Sequence, residues 1–208
     1  MPSPPRSVPR LPLRGLLLAL LPVLVACGGR DVRVDRPVEP RLAAERLGGV
    51  TGALTYDGDW VGGMPPAADL RESLELARRR GVEIVVDLAA GDGEDLRYVA
   101  DDLGLGLVEI DRNEVSLEAQ ELTSRISNAA VDSTLRVLAE PGRSRALVLD
   151  DDGSLATSIY IVHLASSRGI PRSAAIDIAR AAGLSDFDLE FVERQIERVG
   201  VSASSGTR

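Results

Sequence analysis

Three consecutive acids, Asp150, Asp151 and Asp152, followed by Gly153 and Ser154, are the densest group of reactive side chains in the sequence. Carboxylates clustered in a glycine-containing loop suit a hard cation such as Mg²⁺ or Ca²⁺. Their setting points the other way. The apolar run Ala146 to Leu149 predicts a strand, Asp150 to Ser154 a polar loop, and Ala156 to Arg168 a helix stopped by Gly169. Such a strand–loop–helix junction gathers backbone N–H groups at a helix N-terminus, where the macrodipole favours an anion. Consecutive residues rarely all face one ion, so the same three acids also read as solvated loop carboxylates. Other reactive groups are scarce. The chain has one cysteine, Cys27, and one histidine, His163, and all 24 basic residues are Arg. Catalysis by a thiol in the globular part and by lysine anywhere is therefore excluded. A lone helical histidine without ligand partners nearby reads as structural.

The elements around this loop resemble those of cysteine-dependent tyrosine and dual-specificity phosphatases, whose active-site loop is written H-C-x2-G-x2-R-[ST]. The resemblance is strongest to the small bacterial, beta-lactamase-hydrolase-like branch. Gly153 and Thr157 set the register, which places the family's His on Leu149, its Cys on Asp150 and its Arg on Ala156. The scaffold positions match and the catalytic ones do not. The family chemistry needs a thiolate to attack phosphorus and a guanidinium to hold phosphoryl oxygens in bidentate fashion. Neither is present. Gly62-Gly63-Met64-Pro65 resembles the branch's GGxP turn. Asp87-Leu-Ala89 stands where it carries DLR, and Asp111 and Glu114 lie where it carries a mobile general acid. A second resemblance competes: Leu147-Val-Leu-Asp150-Asp-Asp152-Gly-Ser154 fits the first motif of haloacid-dehalogenase phosphatases. There Asp150 would be nucleophile, Asp152 general acid, and both would hold Mg²⁺. That fold opens with this motif, whereas only 46 residues lie between Ser154 and the tail at 201–208, with no clear strand among them.

In chain order, Val50 to Tyr56 and the stretch from Trp60 predict a strand pair leading into a turn. A helix runs to Arg80, Val82 to Leu88 is a strand, Asp95 to Leu103 a helix and Leu105 to Ile110 a strand. A long helix is expected from Ser116 to Val137, with Glu118 and Glu121 in its early turns. Beyond the central loop come helices from Pro171 to Ala182 and from Ser185, whose spacing to Asp188 is that of a capping box. Alternating strands and helices predict an α/β domain with a mainly parallel central sheet covered on both faces.

The N-terminus reads as an export signal. Arg6, Arg10 and Arg14 precede an apolar run from Gly15 to Ala26, shorter than the ~20 residues of a spanning helix. Leu24-Val-Ala-Cys27-Gly28 resembles a bacterial lipobox, which implies acylation of Cys27 and attachment to a membrane. Gly28 after the cysteine resembles the outer-membrane sorting rule. The expected organisation is a signal peptide at 1–26, a lipidated tether at 27–49, the phosphatase-like domain at 50–200 and a flexible tail at 201–208. Removing 1–26 takes three Arg and no acid, leaving 21 Arg against 32 acids, a formal charge of −11. Such a surface repels nucleic acid. The expected function is a membrane-anchored, catalytically degenerate phosphatase-like domain that binds a ligand or envelope protein and uses no cofactor. The alternative is a metal-assisted phosphohydrolase using Asp150 and Asp152 with Mg²⁺ or Ca²⁺.

Overall fold

The computed structural model describes residues 42–89, 94–112 and 126–205, all within the compact unit Glu39–Arg208. The segment carrying Cys27 and the helix expected to open at Ser116 through Glu118 and Glu121 lie outside the described residues, as does Glu114. Strands β1 (Ala43–Ala44), β2 (Thr51–Tyr56), β3 (Asp59–Gly63), β4 (Val82–Asp87), β5 (Gly106–Glu109) and β6 (Arg145–Asp150) form one sheet in the order β1-β2-β3-β6-β4-β5. The β1/β2 and β2/β3 pairs are antiparallel, and β3/β6, β6/β4 and β4/β5 are parallel. The mainly parallel α/β sheet expected from the sequence is the sheet observed.

Strand β6 runs up the middle, and its side chains sort by parity as a pleated strand requires. Ala146 and Val148 enter the apolar cluster on one face, and Leu147 and Leu149 the cluster on the other. A strand buried on both faces must be apolar throughout, which is why Ala146 to Leu149 reads as a continuous run. Helices α1 (Ala67–Arg79) and α2 (Glu94–Asp102) cover the second face. The first is covered by α3 (Asn128–Ala139), α4 (Ser154–Ser167), α5 (Arg172–Ala181) and α6 (Asp186–Ser205). Every residue of α4 from Leu155 to Leu164 is buried. The sequence pattern of Ile159, Val162 and Ala165 marks only one side of it; packing against the sheet and against α3, α5 and α6 buries the rest.

Three boundaries differ from the sequence reading. The domain begins before Val50: Ala43 and Ala44 pair with Thr55 and Leu54, and Leu47 is fully buried, so 42–49 belongs to the domain rather than to a tether. Two alanines carry almost no strand propensity, and the pairing is imposed by the neighbouring edge. Helix α3 begins at Asn128, where the Ser127 hydroxyl accepts the Ala130 N–H at 3.1 Å, and not as a continuation of a helix from Ser116. Helix α6 runs through Ser205, beyond the expected start of a tail at Val201.

One polar cluster lies inside this apolar frame. Asp59, at the start of β3, pairs with Arg143 through two contacts of 2.9 and 2.5 Å. It also accepts the Ala146 N–H at 2.9 Å and the Tyr160 hydroxyl at 3.0 Å. Burial pushes the Asp59 carboxyl up, but the donors around it, Arg143 foremost, bring it below the ordinary range. Removing one member of such a buried pair leaves the other charged and unsolvated, at a cost of about 3–5 kcal/mol. Asp59→Ala is therefore expected to destabilise the domain by about that much in urea unfolding, and Asp59→Leu with Arg143→Met by clearly less.

Candidate functional site

The loop leaves β6 at Asp150 and is clamped from both sides. The Met64 N–H donates to the Asp150 carbonyl at 2.6 Å, and the Leu88 N–H to the Leu149 carbonyl at 2.7 Å. Gly153 is the N-cap of α4 with φ 91°, a left-handed conformation, and a Cβ there would lie 2.7 Å from the Gly63 nitrogen. Only glycine meets both conditions. The Gly62-Gly63 turn and the loop thus pack backbone against backbone, and Thr157 follows, buried, with its N–H on the Gly153 carbonyl at 3.0 Å.

The three acids diverge. The Asp150 side chain is 3% exposed and turns back under the helix, where Oδ2 accepts the Leu155 N–H at 3.2 Å. The amides of Gly153 and Ala156 also act on this carboxyl, while Oδ1 is buried without an aligned partner. Burial raises the Asp150 pKa to about 6 against the pull of those amides. Asp151 points outward, its Oδ2 lying 3.1 Å from Arg112 Nη2 as an ion pair. Asp152 Oδ1 accepts both the N–H and the hydroxyl of Ser154, at 2.9 and 2.6 Å, and so satisfies the first N–H of α4. The Mg²⁺ or Ca²⁺ site considered for Asp150, Asp151 and Asp152 does not fit this geometry. Among the described residues no group of three or more His, Cys, Asp or Glu could hold a metal ion. Asp150 and Asp152 likewise do not face a common point as nucleophile and general acid. Among the described residues only helices follow β6, where the haloacid-dehalogenase motif would need further strands.

Sequence reasoning missed Arg112. It follows β5, donates through Nε to the Leu88 carbonyl and brings its guanidinium to Asp151. These contacts lie 24 and 39 positions away along the chain, a separation without any periodic signal. Asp111, beside it, is exposed. Asp87 closes β4 as a buried carboxyl that accepts the Ala89 N–H at 2.8 Å, and burial raises its pKa. Next to the loop lies a cleft of about 400 Å³ whose apolar wall includes Met64, Pro65, Leu70 and Leu96 and whose carboxylates are Asp87, Glu94, Asp95 and Asp151. Among the described residues no basic side chain lines it. This cleft is an acidic surface beside an anion cradle already occupied by Asp150.

No family model matches the chain, and no curated relative does. Solved structures do match. TpbA of P. aeruginosa superposes with a TM-score of 0.58 at 17% identity, over 81% of this chain and 99% of that one. The core catalytic domain of the PP-IP phosphatase SIW14 of S. cerevisiae gives 0.57 at 10% identity, over 77% and 96%. Human DUSP28 gives 0.50 at 15% identity, over 76% and 99%. The fold is that of the tyrosine and dual-specificity phosphatases. The resemblance read from Gly153, Thr157 and the GGxP turn therefore agrees with the three-dimensional comparison. On this fold Asp150 stands at the strand end and Ala156 in the first turn of the following helix, as the sequence register requires.

Two buried groups give the domain opposing pH dependences. Asp150, raised from 3.8 to about 6, contributes stability below pH 4 that is lost as pH rises through 6. His163, lowered by burial first and then by Arg143 and Arg168 from 6.5 to about 4, contributes stability above pH 6.5 that is lost as pH falls through 4. Each is worth about 3 kcal/mol, from about 2 pKa units at 1.36 kcal/mol per unit, so between pH 4 and 6.5 they offset one another. In the unaltered protein these two contributions to the unfolding free energy should nearly cancel across that window. Asp150→Asn should instead lose stability steadily as pH falls from 6.5 to 4, which denaturant unfolding at a series of pH values would measure.

Proposed function

We propose that this chain is a membrane-anchored phosphatase-fold domain that binds a partner and does not turn over phosphate esters. One observation carries the reading: the Asp150 carboxyl occupies the N–H groups at the start of α4. A helix N-terminus in such a loop favours an anion, and here that anion is part of the chain itself. An incoming phosphoryl group would have to displace a buried carboxylate and would meet no guanidinium on Ala156. Arg112 does not substitute, since its charge is committed to Asp151 and the Leu88 carbonyl. The acidic cleft beside the loop supports a binding role with a bias of charge. It is compatible with a partner segment that carries Arg or Lys next to an apolar residue, and incompatible with a phosphorylated one.

The anchor rests on Cys27 and its flanking sequence. Among the described residues no helix is long and apolar enough to cross a membrane. An acylated Cys27 would hold the domain at the surface of a bacterial envelope membrane, where an envelope protein is the natural partner. Cys27→Ser is expected to abolish incorporation of labelled fatty acid and to leave unprocessed precursor. Equal labelling of the two proteins would remove the anchor from this reading.

The site has its own test. Vanadate and inorganic phosphate should give no thermal shift of the unaltered protein, and aryl phosphate hydrolysis should stay at background with or without Mg²⁺. Asp150→Cys with Ala156→Arg should not restore turnover while Asp151 and Asp152 remain. Vanadate binding by the unaltered protein without metal would overturn the account of the loop.

A further inference from the structure

The acidic cleft beside the loop holds one buried group that the loop itself does not use. Asp87 lines the cleft and is 4% exposed. Its Oδ1 accepts the Ala89 N–H at 2.8 Å, and its Oδ2 has no hydrogen-bond partner among the described residues. Buried polar atoms nearly always have partners, and a carboxylate oxygen left over in a cleft calls for a donor. Burial pushes the Asp87 carboxyl up, Glu109 and Asp151 add like charge, and neither the Ala89 amide nor Arg112 cancels the rise. A cation arriving in the cleft would relieve that field.

The walls narrow the class of cation. Strand parity puts Asp87 on the face of Val85, which packs in one cluster with Leu70 and Leu96. Those two leucines line the cleft with Asp87, so the free oxygen and the apolar wall face one space. Glu94 and Asp95, in the first turn of α2, line it as exposed carboxylates. An aliphatic stem carrying a charged head matches this division. A guanidinium fork needs two oxygens of one carboxylate, and Asp87 has only one to offer. An ammonium is a point charge with three donors and needs no fork. The chain contains no lysine, so neither its own segments nor a second copy can supply a side-chain ammonium.

We propose, on the partner-binding reading given above, that the cleft receives a lysine side chain of another protein. The ammonium donates to Asp87 Oδ2, and the four-carbon stem lies along Met64, Leu70 and Leu96. Glu94 and Asp95 add attraction at the exposed border.

The Ala89 amide, bonded to Asp87, is the local reporter in ¹H–¹⁵N NMR of the full chain. A blocked Leu-Lys-Leu peptide at millimolar concentration should shift that signal saturably. The same peptide with Arg in place of Lys should act several-fold more weakly, as should free n-butylammonium. Asp87→Asn keeps an acceptor for the Ala89 N–H and should weaken the response about tenfold or more, the loss expected for one charged contact. Glu94→Gln with Asp95→Asn, both at exposed positions, should weaken it a few-fold. Three results would overturn the proposal. One is no response to the lysine peptide, and another is a response to the arginine peptide or n-butylammonium as strong as to lysine. The third is an undiminished response in Asp87→Asn, or in the Glu94 and Asp95 double variant should Asp87→Asn not fold. Orthophosphate in the same titration keeps the two readings apart. Silence toward both lysine and phosphate removes the lysine site alone, whereas a response to phosphate removes the account of the loop.

Discussion

Asp59 is the polar point on which the apolar layers converge. Its two oxygens take donors from Arg143 in the loop before β6, from the backbone of β6 at Ala146 and from Tyr160 in the middle of α4. A carboxylate with four donors in a low-dielectric interior fixes the positions of all of them at once, because each is costly to leave unpaired. Strand β3 is thereby held in register with β6, and α4 is held at a set height over the sheet. That height determines where the N-terminus of α4 meets the end of β6, and so the shape of the loop between Asp150 and Ser154.

The loop keeps the backbone arrangement that suits an anion at a helix N-terminus, whatever its side chains supply. Backbone geometry does most of the work of such a frame: a left-handed Gly153, close contact with Gly63 and N–H groups aimed at one point. None of this depends on a thiol or a guanidinium. What changes the chemistry is that Asp150 supplies its own carboxyl to those N–H groups. The other two acids are also occupied, Asp151 by Arg112 and Asp152 by Ser154. The negative character of the site comes instead from the neighbouring cleft, where carboxylates of β4 and α2 join Asp151.

Elements with a local cause were legible in the sequence. The apolar run of β6, the glycine that starts α4 and the reciprocal Ser185–Asp188 cap of α6 are contacts between residues a few positions apart. That Asp150 and Ala156 stand where the resembled phosphatases carry Cys and Arg was equally legible, since it depends only on residue identity once the register is known. What could not be read are pairings across long separations. Arg112 with Asp151 and Asp59 with Arg143 follow from the order of strands in the sheet. β1 failed for a different reason: Ala43 and Ala44 have no intrinsic preference for a strand, and only the exposed edge of β2 makes them one. Ser116 and Ser127 both precede helical patterns, and capping chemistry alone does not distinguish them.

The two-residue strand β1 also sets how the domain responds to mechanical load. It is the outermost strand of the sheet, and a pull on the chain from its N-terminal side enters there. An edge strand pulled away from its neighbour peels one hydrogen-bonded pair at a time instead of shearing as a block, so β1 yields first and at low force. Behind it is a firmer catch. Leu47 is fully buried, the Val50 N–H closes a turn on its carbonyl at 3.0 Å, and the Gly49 N–H is fastened to the Ser73 hydroxyl on α1 at 2.8 Å. Peeling therefore frees a few residues and stops there, and the core of the sheet carries no tension until that second catch gives way.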